Sequence, residues 1–136
     1  MTIAEWCLLG AVLLYLFTVA PVKVLGYRQY DNSRPRDPDF YKDPMRARAL
    51  GAHLNGIEAF PFFAVAVILA EFRACPQALI DWLAVLFLGL RVAFVVAYVA
   101  DRPTLRTILW SVAFLSNLTI FLLPAIGWVF PGASAS

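Results

Sequence analysis

One histidine and two cysteines among 136 residues leave no His/Cys cluster of the kind that holds a metal ion, and none is expected. Two cysteines do not establish a disulfide either. Cys7 and Cys75 fall near the same membrane side in the topology that the charges favour, so a bridge is conceivable, but two free thiols at helix ends are the simpler reading. No basic residue precedes the first apolar stretch, Glu5 sits at its start, and no small-residue cleavage site closes it. That stretch reads as a retained helix rather than a secretion signal. Internal repeats are lacking, and the only low-complexity tract is the small tail Gly132-Ala-Ser-Ala-Ser136, expected to fray. Charge is scarce as well. Asp, Glu, Lys and Arg make up 15% of the chain against 62% apolar residues, and the mean hydropathy is +0.75. These values exclude an ordinary soluble domain.

What is present is long apolar runs. A hydrocarbon layer about 30 Å thick needs about 20 mostly apolar residues per helix, and four runs of that length fit, at 5–26, 46–72, 78–100 and 106–130. This predicts an integral membrane, all-α chain with one four-span unit over residues 1–136. The basic residues are placed unevenly. Lys23, Arg28, Arg34, Arg36, Lys42, Arg46 and Arg48 cluster around the first connection, Arg102 and Arg106 flank the third, and only Arg73 adjoins the second. The positive-inside rule then puts the loops 27–45 and 101–105 in the cytoplasm and both termini on the other side, which for a bacterial chain means the inner membrane. Nucleic acid is excluded as a partner, because Asp31, Asp37, Asp39 and Asp43 interrupt the basic residues and no single positive face results.

The first connection is long for a loop between helices. Its prolines and Tyr27, Tyr30 and Tyr41 favour an ordered lid on the helix ends over a solvated linker. The other two connections, around Cys75-Pro76-Gln77 and Asp101-Arg102-Pro103-Thr104, are tight turns. Short turns make successive helices antiparallel neighbours, so a left-handed up-down bundle is expected. Pro21 predicts a kink or an early stop in the first helix.

Polar residues inside the second run carry the functional signal. In Arg48-Ala-Leu-Gly-Ala-His53-Leu-Asn55-Gly-Ile-Glu58-Ala-Phe60-Pro61, at about 100° per residue, Arg48, Asn55 and Glu58 fall within about 80° of one another and His53 points away. Ionisable groups at this depth mark function. Arg91 lies at a depth similar to that of Glu58, about 15 Å from the cytoplasmic helix ends. The two are expected to pair, since either charge alone in hydrocarbon would cost several kcal/mol. Tyr98, seven residues on, shares the face of Arg91, and Arg102 and Arg106 stand at the same end of the chain's third and fourth runs. Guanidinium groups for carboxylates and an amide for backbone-like groups suit an anionic, peptide-like ligand. An interfacial belt of Arg and Tyr is the plainer alternative.

The run Arg48-x-x-x-x-His53-x-Asn55-x-x-Glu58-x-Phe60-Pro61 resembles the second-helix signature of the membrane-associated proteins in eicosanoid and glutathione metabolism. The segment Arg91-Val-Ala-Phe-Val-Val-Ala-Tyr98, followed by Leu105-Arg106-Thr107, is similar to the third-helix and fourth-helix-start motif of that family. The resemblance implies a homotrimer in membrane lipid with glutathione held between protomers at the cytoplasmic side. It also implies a hydrophobic small-molecule substrate. Arg48, Asn55, Glu58, Arg91, Tyr98 and Arg102 would be glutathione-binding or supporting residues. Arg106 would be the catalytic residue that stabilises the thiolate. Catalytic relatives usually show Glu-Arg-x-x-Arg before the Asn, where this chain has Ala47-Arg48-Ala49-Leu50-Gly51. Ala59 and Phe94 also depart from the eicosanoid-forming members, so the chain looks like the bacterial branch.

Three functions compete on these grounds. A glutathione transferase or peroxidase for hydrophobic electrophiles fits the resemblance best. A non-catalytic scaffold binding a lipid or thiol is the alternative that Ala47 and Gly51 favour. A small transporter is set aside because Arg91 is expected to neutralise the one deep carboxylate.

Overall fold

In the computed structural model residues 1–126 are described, and they form four long helices. Thr2 opens α1 (Ile3–Leu25) with a capping box: its hydroxyl accepts from the Glu5 N–H while the Glu5 carboxylate accepts from the Thr2 N–H. Asp43 opens α2 (Pro44–Phe72) by accepting from the N–H groups of Met45 and Arg46, with Pro44 in the first turn where its missing donor costs nothing. Helices α3 (Gln77–Val99) and α4 (Pro103–Ile126) follow. The expected spans hold to within three residues wherever they are described; residues 127–130 of the fourth, and the tail, lie outside the described residues. Each helix is long and apolar enough to cross a membrane.

Two helix ends close identically. After α2 the Cys75 N–H donates to the Ala70 carbonyl and the Ala74 N–H to Glu71, and after α3 Arg102 donates to Ala97 and Asp101 to Tyr98. Both are Schellman motifs, which need a left-handed residue: Ala74 (φ 53°) and Asp101 (φ 57°) supply it without glycine. Pro21 neither stops α1 nor breaks it; the helix runs on to Leu25, against the expectation of an early end. Proline removes one donor and leaves the remaining ladder intact, and packing on α2 holds the last turn.

The helices alternate in direction. Near one end Thr2 Oγ1 donates to Glu71 and the Ala4 N–H to Asp81, joining the start of α1 to the end of α2 and the start of α3. At the other end Arg48, early in α2, meets Val99 at the close of α3. Helices α2 and α3 touch each other and both outer helices, while α1 and α4 sit diagonally, without contact among the described residues. Small residues at helical spacing belong to the core where the helices meet, Ala4, Cys7 and Ala11 on α1 and Ala66 and Ala70 on α2. Such residues let helices approach closely where no water drives association. Phe63 and Phe87 stack at 4.1 Å in the centre. Only 28% of the most apolar window of each helix is buried. The remaining Leu, Val, Phe and Trp side chains face outward, the reverse of a soluble bundle.

The long connection is ordered, as its composition predicts. Phe40 and Tyr41 are buried on a single 3₁₀ turn (Phe40–Lys42), Tyr30 packs edge-on to Phe40, and the Arg46 guanidinium covers Phe40 at 4.4 Å. Asp31 accepts from both the hydroxyl and the N–H of Ser33, which hold its carboxyl below the usual aspartate range.

Candidate functional site

The polar stripe of α2 does turn away from His53, and two of its three members, Arg48 and Asn55, meet different partners. His53 lies against α1, its Nδ1 2.7 Å from the Tyr15 carbonyl oxygen. Arg48 donates from Nε to the Val99 carbonyl at 3.1 Å and lies 3.6 Å from the Asp101 carboxylate. Its guanidinium therefore clamps the Schellman end of α3 and lines neither of the clefts around Asn55. Asn55 accepts from Arg91 Nη1 at 2.9 Å.

That hydrogen bond replaces the expected ion pair. Glu58 is exposed, and no carboxylate lies within 4.0 Å of Arg91 among the described residues. The reason is rotational: Asn55 sits between Arg48 and Glu58 on the stripe and points most directly at α3, leaving Glu58 on the flank toward α4. Arg91 itself is 1% exposed and lies over the Phe94 ring at 4.4 Å, with Nε and Nη2 lacking partners. The Tyr15 hydroxyl on α1 stands beside this guanidinium without a well-aligned hydrogen bond, and the carbonyl oxygen of Asn117, 2% exposed on α4, also lacks a partner among the described residues.

Two concavities flank this centre. The inner one, about 190 Å³, is walled by Asn55, Glu58, Phe62, Phe87, Arg91 and Asn117 among others. The outer one, about 340 Å³, is lined by Asn55, Phe94, Tyr98, Arg106, Thr107 and Trp110. Asn55 and Trp110 border both. The structure thus brings Asn55, Tyr98 and Arg106 together, and Asn55, Glu58 and Arg91 together. Arg102 stays apart: its side chain is exposed and lines neither cleft. Asn117 and Trp110 are site residues that sequence reasoning missed, although a lone asparagine inside an apolar span is a signal of the same kind as Asn55.

Arg106 is the cation of the outer cleft. It stands in the first turn of α4, its Cζ 4.4 Å from the Tyr98 ring, and no carboxylate pairs with it among the described residues. A cation there opposes the positive end of the helix dipole, so the position does nothing for the helix. It does make the cleft a place where an anion is favoured twice, by the guanidinium and by the dipole. Tyr98 is held by its other side. An atom added as Cβ to Gly51 would stand 2.5 Å from the Tyr98 hydroxyl oxygen, so the tyrosine rests where any side chain at 51 would begin. The absence of a side chain at residue 51 and the position of Tyr98 are one feature.

Cys7 and Cys75 are both free. Among the described residues no group of His, Cys, Asp and Glu is placed to hold a metal ion. The model of the MAPEG family matches residues 3–126. No curated protein and no solved structure matches the chain.

Proposed function

The chain belongs to the MAPEG family, and from that premise we propose that this multi-pass membrane protein binds glutathione and uses it as a transferase or peroxidase toward hydrophobic electrophiles. The observation that carries the reading is Arg106. It is a guanidinium without a carboxylate partner among the described residues, stacked on Tyr98 beside the N-terminus of α4, in a cleft bordered by the amide of Asn55. The polar groups of the outer cleft suit the tripeptide: Asn55 for a peptide group and Arg106 for the sulfur, with the Tyr98 hydroxyl in the same cleft. Arg106 and the helix dipole favour the charged form of a nearby thiol, so its proton is released to water at neutral pH. Apolar walls at Phe94 and Trp110 suit an acceptor that partitions from the bilayer.

The protein acts as a homotrimer in this reading, with the loops 27–45 and 101–105 cytoplasmic. Glu58 supports self-association, since an exposed carboxylate on a membrane helix needs cover from a neighbour or from water. The pairing of Glu58 with Arg91 no longer argues against a carrier. The unbroken helices do, because carrier sites are built on interrupted ones. A second reading, binding without catalysis, is favoured by Gly51 alone, which removes one guanidinium from the cleft.

Mixing the protein with glutathione should give the ultraviolet absorbance of a thiolate together with proton release. Arg106→Ala should remove that absorbance while binding falls by less than about tenfold, roughly 1.4 kcal/mol, because Asn55 and Tyr98 remain. Binding by the wild type without a thiolate signal would leave only the non-catalytic reading.

A further inference from the structure

The lid sorts charges that the sequence interleaves. Its four aspartates are all engaged locally: Asp31 accepts from Ser33, Asp37 lies 3.5 Å from Arg34, Asp39 lies 2.7 Å from Lys42, and Asp43 caps the first turn of α2. The cations nearest the end of α1 are left over. No carboxylate lies within 4.0 Å of Lys23, Arg28 or Arg46 among the described residues. The C-terminal dipole of α1 favours a cation there, but it amounts to about half an elementary charge against three.

Aromatic rings hold these cations in place. The Lys23 ammonium lies 5.1 Å over the Tyr30 ring, Tyr30 packs edge-on to Phe40 at 5.2 Å, and the Arg46 guanidinium lies 4.4 Å over Phe40 and donates to its carbonyl. Lys23 and Arg46 therefore flank one aromatic pair. Gly26 permits the approach, since a Cβ there would stand 3.0 Å from Phe40 Cε2 and 3.1 Å from Arg46 Nη2, and Arg28 lies over the neighbouring Tyr27 ring at 5.8 Å. A ring face attracts a cation without cancelling its charge, so all three remain available to an anion.

The depth of this cluster narrows the choice of anion. Lys23 stands in the last turn of one membrane-crossing helix and Arg46 in the first turn of the next, while Val24, Leu25 and Met45 beside them are exposed. That is the level where head groups meet acyl chains. A water-soluble phosphate would meet the cations and leave the apolar neighbours uncovered, whereas a phospholipid covers both. We infer that the lid and the adjoining ends of α1 and α2 form a head-group site for an anionic phospholipid of the leaflet on that side, with Lys23, Arg28 and Arg46 around its phosphate and Val24, Leu25 and Met45 against its chains. The site shares no residue with either cleft and does not depend on glutathione.

The test places the full-length protein in mixed micelles with equal amounts of phosphatidylglycerol and phosphatidylcholine of the same chains, and native mass spectrometry counts the lipid retained. Phosphatidylglycerol should be retained at least tenfold over phosphatidylcholine. Lys23→Gln should lower that ratio about fivefold, the effect of one basic residue near a charged surface, and Arg46→Lys, which keeps the charge, should lower it by less than twofold. Arg28→Gln, at an exposed position where folding is not at stake, should lower it at least twofold. Arg36→Gln removes a lid charge that stacks on none of these rings and should leave the ratio within twofold of wild type. Equal losses in Arg36→Gln and Arg28→Gln would overturn the site by showing only a diffuse field of the lid. Equal retention of the two lipids by the wild type would overturn it as well. So would displacement of phosphatidylglycerol by millimolar inorganic phosphate, which would assign the cluster to a soluble anion.

Discussion

Gly51 and Gly56 stand five residues apart on α2, both beneath a tyrosine, and adding one methyl group to each should have opposite consequences. At Gly56 the new Cβ would lie 2.2 Å from Cδ1, 2.5 Å from Cε1 and 2.9 Å from Cγ of Tyr15. The first distance falls about 1.2 Å short of the 3.4 Å where ordinary contact begins. Because Cγ is involved, rotating the ring does not relieve the clash. Tyr15 is 4% exposed, wedged edge-on against Phe60, and its carbonyl is bound to His53, so α1 itself must shift. Overpacking of this kind costs about 1–3 kcal/mol, and alanine returns at most about 1 kcal/mol of helix propensity. A net loss of up to about 2 kcal/mol is expected. At Gly51 the clash is with Tyr98 Oη and Cζ, the far end of a half-buried side chain that can swing outward. The loss there is the stacking of Arg106 on Tyr98, about 0.5–2 kcal/mol, which the propensity gain largely offsets. Thermal melts in detergent should therefore show Gly56→Ala clearly below wild type and Gly51→Ala within a few degrees of it, while Gly51→Ala weakens the thiolate signal by displacing Tyr98. Equal melting losses for the two variants would refute the distinction between a locked ring and a free one. An unchanged thiolate signal in Gly51→Ala would refute the coupling of Gly51 to Arg106.

Ala74 takes the left-handed position that closes α2, where a Cβ costs about 1–2 kcal/mol, so Ala74→Gly should raise the melting temperature without touching either cleft. Asn55→Leu removes the acceptor of Arg91 Nη1 and should lose yield or melting temperature, whereas Asn55→Leu combined with Arg91→Leu should recover part of the loss; additive losses would sink the pairing. Native mass measurement in mild detergent should give a trimer, and a monomer would remove the proposed cover for Glu58.

Much of this protein was legible before any coordinates, because a membrane simplifies the code. Spans follow from length and apolarity, and turns from Pro76 and Pro103. The lid follows from its tyrosines and prolines, and the stripe of Arg48, Asn55 and Glu58 from the helical period alone. Depth and face also marked Tyr98 and Arg106, to which the family resemblance added roles, and the chain brings those two into contact. Partner choice on the stripe was not legible. A helical wheel states which residues share a face but not how that face is rotated against its neighbour, and a few tens of degrees decide whether Asn55 or Glu58 reaches Arg91. The same rotation gives Arg48 to the end of α3, where a left-handed Asp101 carries a carboxylate that no periodicity would place there. Asn117 entered the site from α4 because the cavity walled by α2, α3 and α4 is a product of packing. The sequence by itself determined how deep each polar group lies, since depth is a matter of rise along a helix; only the tertiary structure decided what each one faces, since that depends on the rotation and contact of helices far apart in the chain.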